Sequence, residues 1–270
     1  MKKLAAAPYL VWMTIFIIVP LGLIVMFAFT DSSGQFTLEN IIRVQDYAGV
    51  IGRSIKLAAI STVICLIMAF PLAFIISRKP ENQQRTMQLL VMLPMWMNFL
   101  LRTYAWMTLL ENTGLINKLL GLVGLGPYQM INTQGAVVLG MVYNYIPFMI
   151  MPLYSVMVKI DQKVIEAAQD LGADNFNVLL KVLITMSKTG IVSGITMVFV
   201  PAVSTFIISK MLGGGTNLMV GDLIDMQFLG NAYNPHLGSA ISLLMMILIL
   251  ICMFIMNNVG SEEEMEGMLV

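Results

Sequence analysis

The chain has 270 residues, of which 58% are hydrophobic and only 11% charged, and its mean hydropathy is +0.85. A water-soluble domain carries about a quarter charged residues, so too little polar surface is present here to coat a soluble core. This composition excludes a soluble globular protein and a disordered chain, and a net charge of zero excludes a basic nucleic-acid binder.

A helix that crosses a bilayer needs roughly 20 mostly apolar residues. Six segments meet that requirement: Tyr9–Phe29, Leu57–Ile76, Met87–Leu110, Ala136–Met157, Gly190–Ser209 and Ala240–Met256. The runs are continuous and do not alternate, which argues against membrane strands. Lys2 and Lys3 precede the first run as in a secretory signal. No charge interrupts Leu4 through Thr30, however, so an uncleaved first span is expected. Cys65 and Cys252 lie inside apolar runs without pairing or metal spacing and read as buried thiols.

Orientation follows from counting basic residues by loop. With the N-terminus inside, the inner segments hold nine: Lys2, Lys3, Arg78, Lys79, Arg85, Lys159, Lys163, Lys181 and Lys188. The outer loops hold five: Arg43, Arg53, Lys56, Lys118 and Lys210. Both termini are therefore expected in the cytoplasm. The expected organisation is a first span with its outer loop (1–50), a five-helix body (51–257) and an acidic tail (258–270). Glu262, Glu263, Glu264 and Glu266 in that tail read as a solvated, frayed end.

Pro20, Pro71, Pro94, Pro147, Pro152 and Pro201 fall inside predicted spans. Each removes a backbone donor and predicts a kink, tolerable in lipid only where protein or water satisfies the freed carbonyls. That pattern suits a translocating bundle. Gly190 and Gly194 form a small-xxx-small step for close helix approach, and Gly213, Gly214 and Gly215 read as a flexible turn. His236, the sole histidine, reads as a surface residue.

The inner loop Val158–Thr189 differs in character from the outer loops. Asp161 is a candidate N-cap, and Val164, Ile165, Ala168 and Leu171 recur at helical spacing with Glu166 and Asp170 on the wetter face. Gly172 breaks that helix, and Phe176, Leu179, Leu180 and Leu183 begin another. A short amphipathic helix that projects from a membrane domain is a candidate docking knob for a soluble partner.

Glu166, Ala167 and Ala168, then three residues and Gly172, closely resemble the EAA motif of ABC importer permeases. The motif continues with I-x-L-P, where this chain has Val182, Leu183, Ile184 and Thr185. The absent proline puts the kink leading into the fifth span in question. The stretches LPMWMNFLLRTYAW from Leu93, YNYIPFMIMPLYSVM from Tyr143 and VPAVSTF from Val200 are similar to the polyamine permeases of that family. The resemblance covers most of the chain. It implies an all-α integral membrane protein with the six-helix type I importer fold, and ATPase coupling through Glu166, Ala167, Ala168, Asp170, Leu171 and Gly172. It also implies a second six-helix permease subunit, a dimeric cytosolic ATPase that holds ATP and Mg, and an extracytoplasmic binding protein.

No G-x-x-x-x-G-K-[ST] sequence occurs and no catalytic set can be assembled around one histidine, so this chain reads as a non-enzyme without cofactor or metal. A stand-alone secondary transporter is the competing reading, but the six spans show no internal repeat and hold only Arg102 as a buried charge. Arg102 is expected to line the cavity, pair with Glu111 or snorkel. For an alkyl polycation, Trp96, Tyr104 and Phe206 offer aromatic faces, and Asp222 and Asp225 offer carboxylates on one helical face. The alternative is that the two aspartates are solvated loop charges with Lys210 as partner. Thiamine, ferric iron or sulfate are alternative cargoes for the same fold.

Overall fold

The computed structural model describes residues 7–230 and 232–267, without the side chains of residues 7, 175 and 259–267. Apolar runs in a chain with so few charges can satisfy their backbone groups internally only as helices. Among the described residues no strand forms, and the sole bridge joins Thr30 to Phe36.

The first helix, α1 (Pro8–Ala28), contains a π-helical turn at Thr14–Ile18. A short α2 (Glu39–Arg43) and a 3₁₀ turn (Val44–Tyr47) lead into α3 (Ala48–Ser77). A boundary between residues 50 and 51 therefore falls inside α3. On the side expected to be inner, α4 (Glu81–Trp96) begins, and α5 (Phe99–Leu110) follows it. The next connection carries α6 (Leu115–Leu122), and α7 (Gln134–Met157) follows. The loop expected to be cytoplasmic contains α8 (Gln162–Asp170) and α9 (Val178–Met186), followed by α10 (Lys188–Ser204), α11 (Ile207–Leu212), α12 (Val220–Phe228) and α13 (Pro235–Gly267).

Among the described residues, four stretches are long and apolar enough to cross alone: Pro8–Ala28, Glu39–Ser77, Gln134–Met157 and Pro235–Asn258. The bent pair α9 and α10 passes the same test only when the two helices are counted together. The third expected span is not one helix. Three residues after Pro94 the backbone turns extended at Met97 and Asn98, and the Asn98 side chain accepts from the amides of Leu100 and Leu101 to start α5. Pro94 weakens the end of α4 and Asn98 restarts the chain, so two half-helices replace one. The fifth expected span is likewise divided at Thr205 and Phe206, four residues after Pro201. The acidic tail also differs from expectation, because α13 continues through Gly267 instead of fraying.

The core has two parts along the α3–α7–α10 axis. Leu57, Met141, Ile208, Leu212, Met219 and Ile241 fill one end, and Phe70, Ile76, Met149, Leu153, Met157 and Leu183 fill the other. Gly190 and Gly194 let α10 lie against α7, since a Cβ on Gly190 would stand 3.1 Å from the Pro152 carbonyl. His236 is not a free surface residue: it is half-buried, with Nδ1 3.2 Å from the Phe27 carbonyl and its ring edge-on to Phe27, which ties α13 to α1.

Candidate functional site

In the loop 158–189, Asp161 accepts from the Lys163 amide and starts α8, as its position suggests. The helix ends in a Schellman motif: the Gly172 amide donates to the Gln169 carbonyl at 2.9 Å and the Ala173 amide to the Ala168 carbonyl at 3.0 Å. Gly172 adopts φ +88°, the left-handed conformation that closes this motif. Ala168 and Ala173 pack together with the inner core as the hydrophobic contact of the motif. The alanine–glycine spacing read in the sequence is thus the spacing of a helix stop.

Only part of the expected apolar stripe of α8 faces inward. Ile165 is buried and Ala168 half-buried, whereas Val164 is exposed and Leu171, at the helix end, is 90% exposed. Leu171, Val164 and Phe176 therefore present an apolar rim beside the exposed Glu166, Ala167 and Asp170. Asp174 was not singled out by motif, although an aspartate just before an apolar helical run is a start signal. Its Oδ1 accepts from the Asn177 amide and side chain at 2.8 Å, and these bonds hold its carboxyl below the usual carboxylate range.

The kink left in question by Thr185 is present without proline. Helices α9 and α10 meet at 75°. Ser187 at the corner has φ −105° and ψ 11°, and its amide still donates to Leu183 and Ile184. Thr185 Oγ1 donates to the Lys181 carbonyl one turn back, a bond that commonly bends helices.

The residues expected along a pathway do not form one cluster of equal exposure. Trp96 is 76% exposed at the α4–α5 break, Tyr104 is exposed on α5, and Phe206 sits 39% exposed at the α10–α11 break. Asp222 and Asp225 both lie on α12 but diverge. Asp222 is buried, and its Oδ2 accepts from the Met219 amide at 2.8 Å, which fixes the start of the helix. Asp225 is half-buried and pairs with Lys210 Nζ at 3.2 Å. Beside Asp222, the Val220 amide donates to Ser54 Oγ of α3. Gly221 meets the α10–α11 break so closely that a Cβ would stand 2.5 Å from the Ser204 carbonyl.

Arg102 neither snorkels nor pairs with Glu111. It is only 8% exposed, with its guanidinium 5.9 Å from the centre of the Phe99 ring. Its Nε and Nη1 have no hydrogen-bond partner among the described residues.

A bundle of broken helices that exposes a motif-bearing loop defines a membrane subunit of a transport machine. The chain belongs to the family of binding-protein-dependent transport system inner membrane components, whose model matches residues 47–260. Within that family it is similar to the spermidine/putrescine transport system permease protein PotB of Haemophilus influenzae. The two are 33% identical over 264 residues, which cover 94% of this chain and 92% of the relative. It is also 33% identical to PotB of Escherichia coli over 87% of this chain and 89% of that one. Among solved structures it resembles a chain of a bacterial ABC transporter involved in import of the acidic polysaccharide alginate. The TM-score there is 0.81 at 16% identity, over 97% of this chain and 95% of that chain, which supports the shared fold alone.

Proposed function

We propose that this chain is one of two permease subunits of an ABC importer and that the solute it conducts is a polyamine. It crosses the membrane six times, through α1, α3, α4 with α5, α7, α10 with α11, and α13, with both ends in the cytoplasm. The similarity to PotB relatives over nearly the whole length carries the cargo assignment. The exposed loop with its Schellman stop carries the coupling assignment, because a rigid projecting helix can transmit force to a partner. A separate dimeric ATPase binds ATP and Mg, and an extracytoplasmic protein delivers the solute. Trp96, Tyr104, Phe206, Asp222 and Asp225 serve the pathway, with aromatic faces for methylenes and carboxylates for ammonium groups.

The test is ATP-driven uptake by the reconstituted complex. Radiolabelled spermidine or putrescine should accumulate only with ATPase and binding protein both present. Uptake of thiamine, iron or sulfate with polyamines ignored would overturn the cargo and leave the importer standing. Accumulation by this chain alone would overturn the importer.

Topology is tested by thiol labelling. Cysteines replacing Asn82 and Gln162, both exposed, should react only with reagents admitted to the inner face. Cysteines replacing Asn132 and Tyr233, exposed on the opposite connections, should react from outside. Outside reactivity at position 162 would put the loop beyond the reach of a cytosolic ATPase.

A further inference from the structure

We propose that Arg78 is a positioning residue that locks the coupling loop to the inner ends of α3 and α7, so that these elements move as one body. The inference rests on the coupling role proposed above for the 158–189 loop.

Arg78 is the C-cap residue of α3, one residue past the end of that helix. Its Nη1 donates to the Ile160 carbonyl at 2.9 Å and its Nη2 to the Met157 carbonyl at 3.2 Å. Those carbonyls belong to the end of α7 and the residue immediately before Asp161, the cap that starts α8. The Met157 carbonyl ends α7 at its negative dipole end, which a guanidinium complements, and the Ile160 carbonyl lies in the turn beyond it. The fork is itself held, with Cζ 5.4 Å from the centre of the Phe74 ring.

A second set of bonds ties the same corner to α4. Tyr154 on α7 donates its hydroxyl to Gln84 Oε1 at 2.6 Å. Gln84 Nε2 in turn donates to the carbonyls of Lys79 at 2.7 Å and Ser77 at 3.2 Å. The inner ends of three helices thus meet at the root of α8, and Arg78 alone in this set bonds to the carbonyl that immediately precedes the coupling helix. Beyond this root α8 is joined by packing, through Ile165 and Ala168. Without the fork, α8 would lose the side-chain bond that fixes the carbonyl before its cap. Displacement of α8 would then be lost locally instead of reaching α3 and α7.

The test uses the complete complex in lipid nanodiscs or proteoliposomes. Spin labels on cysteines at Lys79→Cys and Lys163→Cys, in a Cys65→Ala/Cys252→Ala background, report the distance across the joint. With Arg78 intact, one narrow distance should persist between nucleotide-free and ATP-trapped states. With Arg78→Gln it should broaden. Polyamine uptake per ATP hydrolysed should fall about tenfold, as expected when a coupling free energy of ordinary size is removed. ATP hydrolysis itself should fall less than uptake, because the bonds Arg78 makes lie within this chain. Arg78→Lys keeps the charge but not the planar fork, and should lie between the two. A shift of the narrow distance by about 5 Å or more with Arg78 intact would overturn the proposal, since a helical turn of slippage is not one body. Unchanged uptake per ATP with Arg78→Gln would overturn it as well. If Arg78→Gln does not assemble, the label pair in the complex with Arg78 intact still decides. Failure of the cargo reading is a separate result, because the spin-label distance does not depend on which solute is moved. Failure of the coupling reading would appear as a Lys163→Cys thiol that the bound ATPase does not protect.

Discussion

Gly172→Val is expected to leave membrane insertion intact and to lower ATP-driven uptake by about tenfold or more. The left-handed conformation costs a non-glycine residue about 1–2 kcal/mol, and a factor of ten corresponds to about 1.4 kcal/mol. A β-branched side chain lies at the upper end of that range. The space around position 172 is open, since a Cβ placed there meets nothing within 4 Å. The penalty is therefore conformational within this chain. A substitution series separates this cause from contact with the partner. Gly172→Asn should be the mildest, because asparagine tolerates the left-handed region; alanine should be intermediate and valine worst. If asparagine is instead worse than alanine, bulk against the ATPase is the cause. Normal uptake with valine would remove the loop from the coupling role. The measurement is uptake and ATP hydrolysis in parallel, with complex assembly as control.

The double substitution Asp222→Asn/Asp225→Asn is expected to weaken polyamine uptake about tenfold while the complex still assembles. Each ammonium that leaves water must find compensating negative charge, or several kcal/mol of desolvation opposes passage. Single changes distinguish the two residues. Asp222 caps α12 through the Met219 amide, and asparagine retains an acceptor for that bond whereas alanine does not. Asp222→Ala should therefore lower the thermal stability of the complex by about 1 kcal/mol, and Asp222→Asn should not. Asp225→Asn releases Lys210 and leaves an uncompensated ammonium near the mouth, which should repel a polycation. Parental uptake in the double variant would reduce these residues to helix cap and surface pair.

The loop 158–189 was the most legible part of the sequence. Asp161, the α8 periodicity and Gly172 are local signals, and a cap, an amphipathic turn and a glycine stop are decided by interactions within a few residues. Membrane class and the longest apolar helices were legible for the same reason, since continuous apolar runs have a single low-energy fate in lipid. Six prolines marked the spans, yet only Pro94 and Pro201 stand beside a break, while Pro71, Pro147 and Pro152 lie inside continuous helices. Asn98 restarts a helix after Pro94, while Ser187 bends the chain by 75° with no proline at the motif position. Tertiary structure alone decided the fate of the charges. Asp222 and Asp225 share one helix, yet packing of α12 on α3 and the α10–α11 break buries the first and leaves the second to Lys210. Arg78 looked like one of nine inner basic residues, and only the approach of α7 turned it into a clamp on Met157 and Ile160. Spacing along the chain reports neighbours within a turn or two, whereas the partners of a long side chain some eighty residues distant are set by how the helices pack.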